Sequence, residues 1–254
     1  MTDSAIVADR GRRILSKAPA VAVALIAMAA LLLILIPFGW RLGLWHFRYS
    51  FQMVVWAQYL ALAAAVVAAI ALLLGRATLG KVGRWLMAAL VLVGLLVVYV
   101  PWQWAQLRGP RPPINDITTD TTNPPPFVAV LPARAAEQAV AVVYGGAMIA
   151  EQQLAAYPDI APLTLTLPPA QAFERALATA RAMRWTIVAS DPKTGRIEAS
   201  DTTLYFGFTD DVVIRVTPDG AGSRVDIRSH SRQGRGDVGV NAARIRKYLA
   251  ALKG

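Results

Sequence analysis

Three long apolar runs dominate the first 107 residues, and short basic connections separate them. The runs cover residues 18–40, 51–75 and 84–104, and an α-helix needs roughly 20 such residues to cross the hydrocarbon core of a bilayer. The pattern therefore predicts three transmembrane α-helices and a membrane anchor over residues 1–107. Because the first run ends at Trp40 without a small-x-small cleavage signal, we interpret it as an uncleaved span.

The pattern changes after residue 107. Residues 108–127 are rich in Pro, Thr, Asn and Asp, which predicts an extended or turn-rich tether. A helix is expected from about residue 134 to 143, and apolar alternation at 163–167 predicts a strand. Further on, strand-like runs flank DPKTG and PDGAG, each a hairpin signature, and a helical stripe closes the chain.

The element order in residues 128–254 predicts the fold class. A strand, a helix, four strands and a final helix make an α+β domain with an antiparallel sheet and two or three helices packed on one face. The curved sheet and long helix of lipid-binding and envelope-assembly modules have a similar element order. That similarity concerns topology alone and carries no function.

Basic residues beside the spans predict an orientation. Four Lys and Arg residues precede the first span, three lie in the 76–84 connection and two in the 41–48 connection. The positive-inside rule places the N-terminus and the 76–84 connection in the cytoplasm. Trp, Tyr and Phe residues gather at the opposite interface, as in an aromatic belt. We therefore expect a multi-pass protein of the bacterial inner membrane with a periplasmic C-terminal domain.

Composition excludes several function classes. The net charge of +10 comes mostly from the membrane half, so it does not predict nucleic-acid binding. Cysteine is absent, which excludes a disulfide, a thiol nucleophile and a Cys zinc site. The spans lack ionisable groups at membrane depth, which disfavours transport. We expect no cofactor and no bound metal.

A Gly-rich polar loop, residues 231–239, lies between the last strand and the last helix and is the strongest candidate for ligand binding. Glycines allow close backbone approach, a helix N-terminus favours negative charge, and arginines can bind a phosphate or carboxylate. The predicted anion-binding residues are Arg228, Arg232, Gly234, Arg235, Asp237, Asn241 and Arg244. In the alternative interpretation, Asp237 or Asn241 caps the helix and the arginines pair with Asp226, Asp210 and Asp211.

Four carboxylates form a second candidate site, for a divalent metal or for acid–base chemistry: Asp116, Asp159, Asp210 and Asp211. Neighbouring strand residues point to opposite faces, so residues 210 and 211 can share a site only if they lie in a turn. His230 is the one His outside the membrane half, and we expect it to face solvent. No Gly-x-Ser-x-Gly motif accompanies it, so Ser-His-Asp catalysis has no support.

Several strings occur together in the C-terminal half: PPINDITTD (112–120), AYPDIAPL (156–163), GRIEASD (195–201), FGFTDDVVIRV (206–216) and SRVDIRSHSRQGRGDVGVNAARIRKYL (223–249). With these strings the chain resembles the bacterial family called domain of unknown function 1499 over about residues 110–252. Members commonly have Arg-Val-Gly-Arg-Ser-Asp where this chain has RQGRGD at 232–237. The resemblance implies a fold and a polar locus, but no reaction.

Together these patterns predict an inner-membrane protein that presents a periplasmic binding or interaction module and performs no catalysis. Its expected partners are the lipid bilayer and an envelope protein or an anionic lipid or glycan. The alternative is an enzyme that acts on an envelope substrate through its carboxylates.

Overall fold

A computed structural model describes residues 3–75, 77, 79–108 and 111–254. Within the predicted 76–84 connection, residues 76 and 78 lie outside this description, as do residues 109 and 110 of the predicted tether. The chain divides into two compact units, Met1–Gly109 and Pro110–Gly254.

The first unit consists of three long helices: α1 (Asp3–Arg41), α2 (Phe47–Leu74) and α3 (Lys81–Arg108). The segments Leu15–Arg41, Phe47–Leu74 and Lys81–Gln103 are each long and apolar enough to cross a membrane. The three predicted spans therefore all have a helical counterpart, and the prediction of membrane-spanning helices is supported by length and composition.

Small residues bring α2 and α3 close together. A row of alanines on α2, which includes Ala57, Ala61 and Ala65, is buried within the unit. A Cβ atom at Gly94 of α3 would lie 2.4 Å from the carbonyl oxygen of Ala61 and 2.8 Å from the Cβ of Ala65. Glycine and alanine allow this close backbone approach, which is how helices associate where lipid removes any hydrophobic advantage.

The second unit contains the elements β1 (Asp116–Thr118), α4 (Leu131–Ala136), α5 (Gly146–Ala156), β2 (Leu163–Leu165), α6 (Pro169–Ala182), β3 (Thr186–Asp191), β4 (Arg196–Thr202), β5 (Thr209–Asp219), β6 (Gly222–Ser231) and α7 (Val240–Lys253). All strand pairs are antiparallel, in the order β1-β6-β5-β4-β3, and β2 pairs with the other half of β6. The predicted α+β class and the order from β2 to α7 are confirmed.

Helices α6 and α7 pack on one face of this sheet and form its hydrophobic core. Strand alternation turns Val225 and Ile227 of β6 toward the helices, and both are fully buried. The ring of Trp185 stacks on that of Tyr248 from α7 at 5.3 Å between centroids. The Tyr248 hydroxyl donates to the carbonyl of Ala176 on α6, so the polar atom is satisfied inside the core.

The opposite face of the sheet is covered as well. Val130, at the start of α4, packs with Phe127 against Val213 of β5. The buried carboxylate of Glu198 on β4 accepts hydrogen bonds from the backbone N–H groups of Val128 and Val130. These bonds fix the segment that leads into α4 across the second face.

The outer edge of β1 is closed by a side chain of α5. Gln153 accepts a hydrogen bond from the N–H of Thr118 at 3.0 Å and donates to its carbonyl oxygen at 2.6 Å. Gln153 therefore imitates a neighbouring strand at this point, and all four polar atoms are satisfied. An exposed edge with unpaired backbone groups is a template for aggregation, which this contact blocks.

Two predicted boundaries are corrected. The segment expected as a tether, 108–127, is integral to the domain from Ile114 onward, because Ile114 and Ile117 are buried in the core and β1 joins the sheet. The helix expected over 134–143 ends at Ala136, and Gln138 has a φ of 50°. Isolated isoleucines among prolines and threonines gave no periodic signal, so the short edge strand could not be seen.

Candidate functional site

Strand alternation along β6 divides the predicted anion site between two faces of the sheet. Arg228, His230 and Arg232 point to the face covered by α4, whereas Ser229 and Ser231 point to α7. Arg244 lies on α7 and therefore belongs to the second face. The structure does not bring the seven predicted anion-binding residues together.

The face under α4 holds a buried charged cluster, here called the α4-side cluster: Asp116, Arg134, Asp211, Arg228, His230 and Arg232. Asp211 is fully buried and lies between two arginines. It accepts hydrogen bonds from Arg134 at 2.8 Å and from Arg232 at 2.8 and 2.9 Å. The hydroxyl of Ser200 donates a further bond at 2.7 Å.

These contacts decide the ionisation of Asp211. Burial alone would raise the pKa of its carboxyl group. The hydrogen bonds from Arg232, Ser200 and Arg134 outweigh burial, so the pKa of Asp211 lies below its ordinary value. Asp211 is therefore a permanent anion that neutralises buried arginines, and it is not poised to exchange a proton near neutral pH.

A second pair in the α4-side cluster joins β6 to β1. The guanidinium of Arg228 donates to both carboxylate oxygens of Asp116, at 2.8 and 2.7 Å. It also donates to the carbonyl of Val142 at 2.6 Å, and its carbon lies 5.0 Å from the centre of the Phe127 ring. A fork-like, two-bond pair of this kind fixes both side chains strongly.

His230 is buried and does not face solvent, so that expectation is wrong. Burial, together with the positive charges of Arg134 and Arg228, lowers its pKa to about 4, although Asp116 acts in the opposite direction. The Nδ1 atom of His230 lies 3.9 Å from Asp116 and 3.5 Å from an Arg134 nitrogen. At neutral pH the imidazole is therefore uncharged and enclosed.

The face under α7 holds a separate polar cluster around Arg244. This guanidinium donates to Asp201 at 2.9 Å, to Asp210 at 2.6 Å and to Asn241 at 2.7 Å. A fourth bond reaches the hydroxyl of Ser229 at 3.1 Å. Four of the five N–H groups of Arg244 therefore donate to side chains of the domain itself.

Asp237 lies two residues before Gly239, the N-cap of α7. Its carboxylate accepts hydrogen bonds from the backbone N–H groups of Gly239 at 2.8 Å and of Asn241 at 2.6 Å. Burial raises the pKa of Asp237, and these N–H donors act against that rise. The helix end that was predicted to attract an anion is therefore capped by the protein's own carboxylate, which agrees with the alternative interpretation.

Asn241 is buried in the same region and holds the chain entry in place. It donates to the carbonyl of Asn115 at 3.0 Å and to the hydroxyl of Ser231 at 2.9 Å. Asn115 in turn donates to the carbonyl of Gly234 at 2.6 Å. These bonds fix the Gly-rich loop against the segment that leads into β1.

Arg235 differs from the other predicted arginines. Its side chain is exposed, and within the described part of the chain it makes no hydrogen bond or ion pair. Of the predicted anion-binding arginines, Arg235 is therefore the one accessible to a molecule outside the domain.

The four predicted carboxylates do not converge. Asp210 and Asp211 lie within β5 and point to opposite faces, so the turn that would have joined them is absent and that interpretation is wrong. Asp159 lies at the surface, bound by Arg246 at 2.5 and 2.6 Å, and that bond lowers its pKa. Among the described residues, no group of three or more His, Cys, Asp or Glu side chains could hold a metal ion.

Sequence reasoning missed Arg134 and Glu198, which are both buried. Glu198 fixes the segment that leads into α4, and Arg134 fixes α4 itself against the sheet. Arg134 donates to Asp211 and also to the carbonyls of His230, Val140 and Ser231. One signal was available, because β4, β5 and β6 all carry charged residues on the same alternating face. Charges of both signs on one face of the sheet indicate that these side chains form ion pairs with one another, here called a self-neutralising face.

A comparison with protein-family models finds a match, and it lies in the second unit. The family model described as "Protein of unknown function (DUF1499)" matches residues 116–252, more than half of the chain. A search of the curated proteins finds no match. The matched range begins at β1 and ends in α7, so it spans nearly all of the second unit.

Proposed function

The chain belongs to the DUF1499 family, whose function is unknown, and from its geometry we propose a non-catalytic, membrane-anchored binding module. The observation that carries this proposal is that the carboxylates predicted from the sequence as candidate functional groups are paired within the domain. Asp116, Asp210 and Asp211 each neutralise a buried arginine, and Asp237 caps a helix. The domain uses these groups to fix its shape.

Catalysis by acids and bases requires a group that exchanges a proton near the operating pH and reaches a substrate. Asp211 is held as an anion by two arginines, and His230 is buried with a pKa of about 4. Removal of one partner of a buried ion pair strongly destabilises the folded state, because the other charge stays buried without compensation. The enzyme hypothesis therefore has no convergent group to rest on among the four carboxylates.

Sequence and helix length support the cellular placement that we propose. Basic residues are concentrated before α1 and between α2 and α3, which favours a cytoplasmic location for both. With three crossings, the second unit then lies in the periplasm of a bacterium, with α1–α3 in the inner membrane. The proposed ligand is an anionic lipid head group, a glycan phosphate or an envelope protein.

Reporter fusions test this placement. Alkaline phosphatase fused after Gly254 should be active and a cytosolic fluorescent reporter at that position dark, with the opposite result for both reporters fused after Gly80. An inactive phosphatase and a bright fluorescent reporter after Gly254 would place the domain in the cytoplasm.

Affinity purification tests the binding role. The tagged full chain, extracted from membranes in mild detergent, is analysed for co-purifying lipids and proteins by mass spectrometry. Because Arg235 is the accessible arginine of the loop, Arg235→Gln should reduce the recovery of the partner. Arg246→Gln is the matched control, since Arg246 is partly exposed but already bound to Asp159. Equal losses in both variants would contradict a role for the loop.

A further inference from the structure

The two ends of the sheet in the second unit differ in chemistry. One end carries the β3–β4 turn at residues 192–195 and the β5–β6 turn at 220–221, which are polar and mostly exposed. The other end, here called the loop end, carries residues 203–208 between β4 and β5 and residues 232–239 after β6. The two loops are adjacent, since the N–H of Arg232 donates to the carbonyl of Thr209 at 2.9 Å.

The loop at 203–208 presents a preformed apolar tip. The backbone N–H of Thr203 donates to the carbonyl of Phe208 at 2.8 Å and closes the loop, and the ring of Phe206 stacks on that of Phe208 at 5.1 Å between centroids. Tyr205 packs edge-on against Phe206. Leu204 at the tip is 94% exposed, the highest exposure of any large hydrophobic residue in the described part of the chain.

The second loop adds an apolar and a basic side chain. Val238 is 57% exposed. Arg235 is exposed in the same loop, and Arg184 is exposed just before β3, whose first residue pairs with Ser200 near this end. An aromatic and aliphatic tip beside arginines is the composition of surfaces that sit at a membrane–water interface.

The chain enters the domain at the same end. The N–H of Asp237 donates to the carbonyl of Ile114 at 3.3 Å, and Asn115 donates to the carbonyl of Gly234. Five residues, 109–113, separate Ile114 from Arg108, the last residue of α3. At roughly 3.3–3.6 Å per residue, the six steps from Arg108 to Ile114 span at most about 22 Å. The chain that follows the third span therefore enters the second unit at its loop end.

From this placement we propose that the loop end rests on the lipid bilayer. Leu204 and Tyr205 enter the head-group layer, Val238 lies beside them, and Arg235 contacts lipid phosphates. The opposite end of the sheet then faces away from the membrane. The proposal rests on α1–α3 spanning the bilayer, as the proposed function does, but not on which side of the membrane the domain lies.

A single fluorescent label distinguishes this arrangement from a domain that floats free or binds another protein through the loop. The natural chain has no cysteine, so Leu204→Cys accepts one environment-sensitive nitrobenzoxadiazole label. Lys193→Cys, in the exposed β3–β4 turn, is the matched control at the other end of the sheet. Both labelled full chains are reconstituted in nanodiscs of phosphatidylcholine and phosphatidylglycerol, whose two faces are open to solvent.

We expect a blue-shifted emission from the label at 204, which a lipid with a nitroxide on its acyl chain should largely quench and aqueous iodide should hardly quench. The label at 193 should show the reverse. Arg235→Gln should reduce the lipid quenching at 204, and this reduction should be smaller in nanodiscs of phosphatidylcholine alone. Equal urea midpoints of labelled and unlabelled chains confirm that the labels leave the fold intact.

If the label at 204 is quenched by iodide as strongly as the label at 193, the proposal is overturned, and a protein partner becomes the better account of the apolar loop. Such a result leaves the proposed function standing, because the chain would still reside in the nanodisc through its helices. Loss of the chain from the nanodisc would instead remove the basis of both.

Discussion

Asp211 tests most directly whether the buried charges hold the domain together. The substitution Asp211→Asn keeps the size and one oxygen of the side chain but removes the charge that faces Arg134 and Arg232. The amide nitrogen would also point its hydrogens at guanidinium or hydroxyl donors, of which Ser200 is the nearest at 2.7 Å. Arg134 would then lose its paired carboxylate, and Arg232 would keep only its ion pair with Glu137.

The expected cost follows from the burial of this group. Asp211 has no exposed side-chain surface, and its arginine partners are 4% and 6% exposed. Removal of one partner of a buried ion pair destabilises proteins by about 3–5 kcal/mol. For a domain of roughly 150 residues, that corresponds to a loss of about 10 °C in melting temperature. Since domains of this kind are stable by about 5–15 kcal/mol, much of the total would be lost.

Pulse proteolysis in urea measures this on the full chain in detergent micelles, with a C-terminal tag that reports only the second unit. The midpoint should fall while the slope of the transition stays unchanged. The matched control is Asp159→Asn, the same chemical change in the Asp159–Arg246 pair, where the side chains are 54% and 41% exposed. Exposed pairs contribute about 0–1 kcal/mol, so this variant should remain close to the natural chain.

Two results would refute the reasoning. If Asp211→Asn unfolds at the urea concentration of the natural chain, the α4-side cluster does not depend on its charge. If Asp159→Asn falls as far as Asp211→Asn, burial is not what distinguishes the two pairs. Either result would also weaken the argument that these carboxylates serve the fold and not a reaction.

Three further perturbations test other parts of the structure. Burial lowers the pKa of His230 to about 4 from an unfolded value of 6.5, so the unfolded chain binds the proton first as pH falls. Stability should therefore be full above pH 6.5 and decline by about 1.4 kcal/mol per pH unit down to about pH 4, and His230→Gln should flatten that decline in urea titrations. Gly94→Val should lower the detergent melting temperature of the helical unit by overpacking, at a cost of about 1–3 kcal/mol, whereas Gly83→Val, whose Cβ has no neighbour closer than 3.4 Å, should not. Gln153→Ala leaves the buried N–H and carbonyl of Thr118 unpaired, so hydrogen exchange in β1 should accelerate by an amount equivalent to about 1–3 kcal/mol; unchanged exchange would contradict the edge-closing role.

The self-neutralising face explains why the domain keeps charges where an apolar layer would serve for packing. A second cluster on the same face joins Asp120 and Asp226 to Arg215 and Arg224 through bonds of 2.9 to 3.3 Å. Paired charges with several hydrogen bonds accept few alternative arrangements, so they specify one position for the segment that covers the sheet. We therefore infer that these ion pairs fix the position of the covering segment more narrowly than hydrophobic contacts alone would.

The sequence by itself determined the features that depend on local pattern. The three apolar runs are long enough to span a bilayer, and the hairpin turns and helical stripe give the order from β2 to α7. Alternation along β6 and β5 also showed which residues share a face, including the separation of Asp210 from Asp211 if they lie on a strand. Each of these inferences needs only neighbours within about one element, where period and length carry the information.

Tertiary structure alone decided whether the polar face of the sheet is exposed to solvent or covered, and which charged residues form ion pairs. Arg134 and Asp211 are 77 positions apart, and Arg228 and Asp116 are 112 apart. No periodic pattern encodes such contacts, because they arise when α4 closes over the sheet and β1 returns to its edge. The packing of α4 on the sheet also buries His230. Arg235 stays exposed, on a loop whose other polar groups bond within the domain.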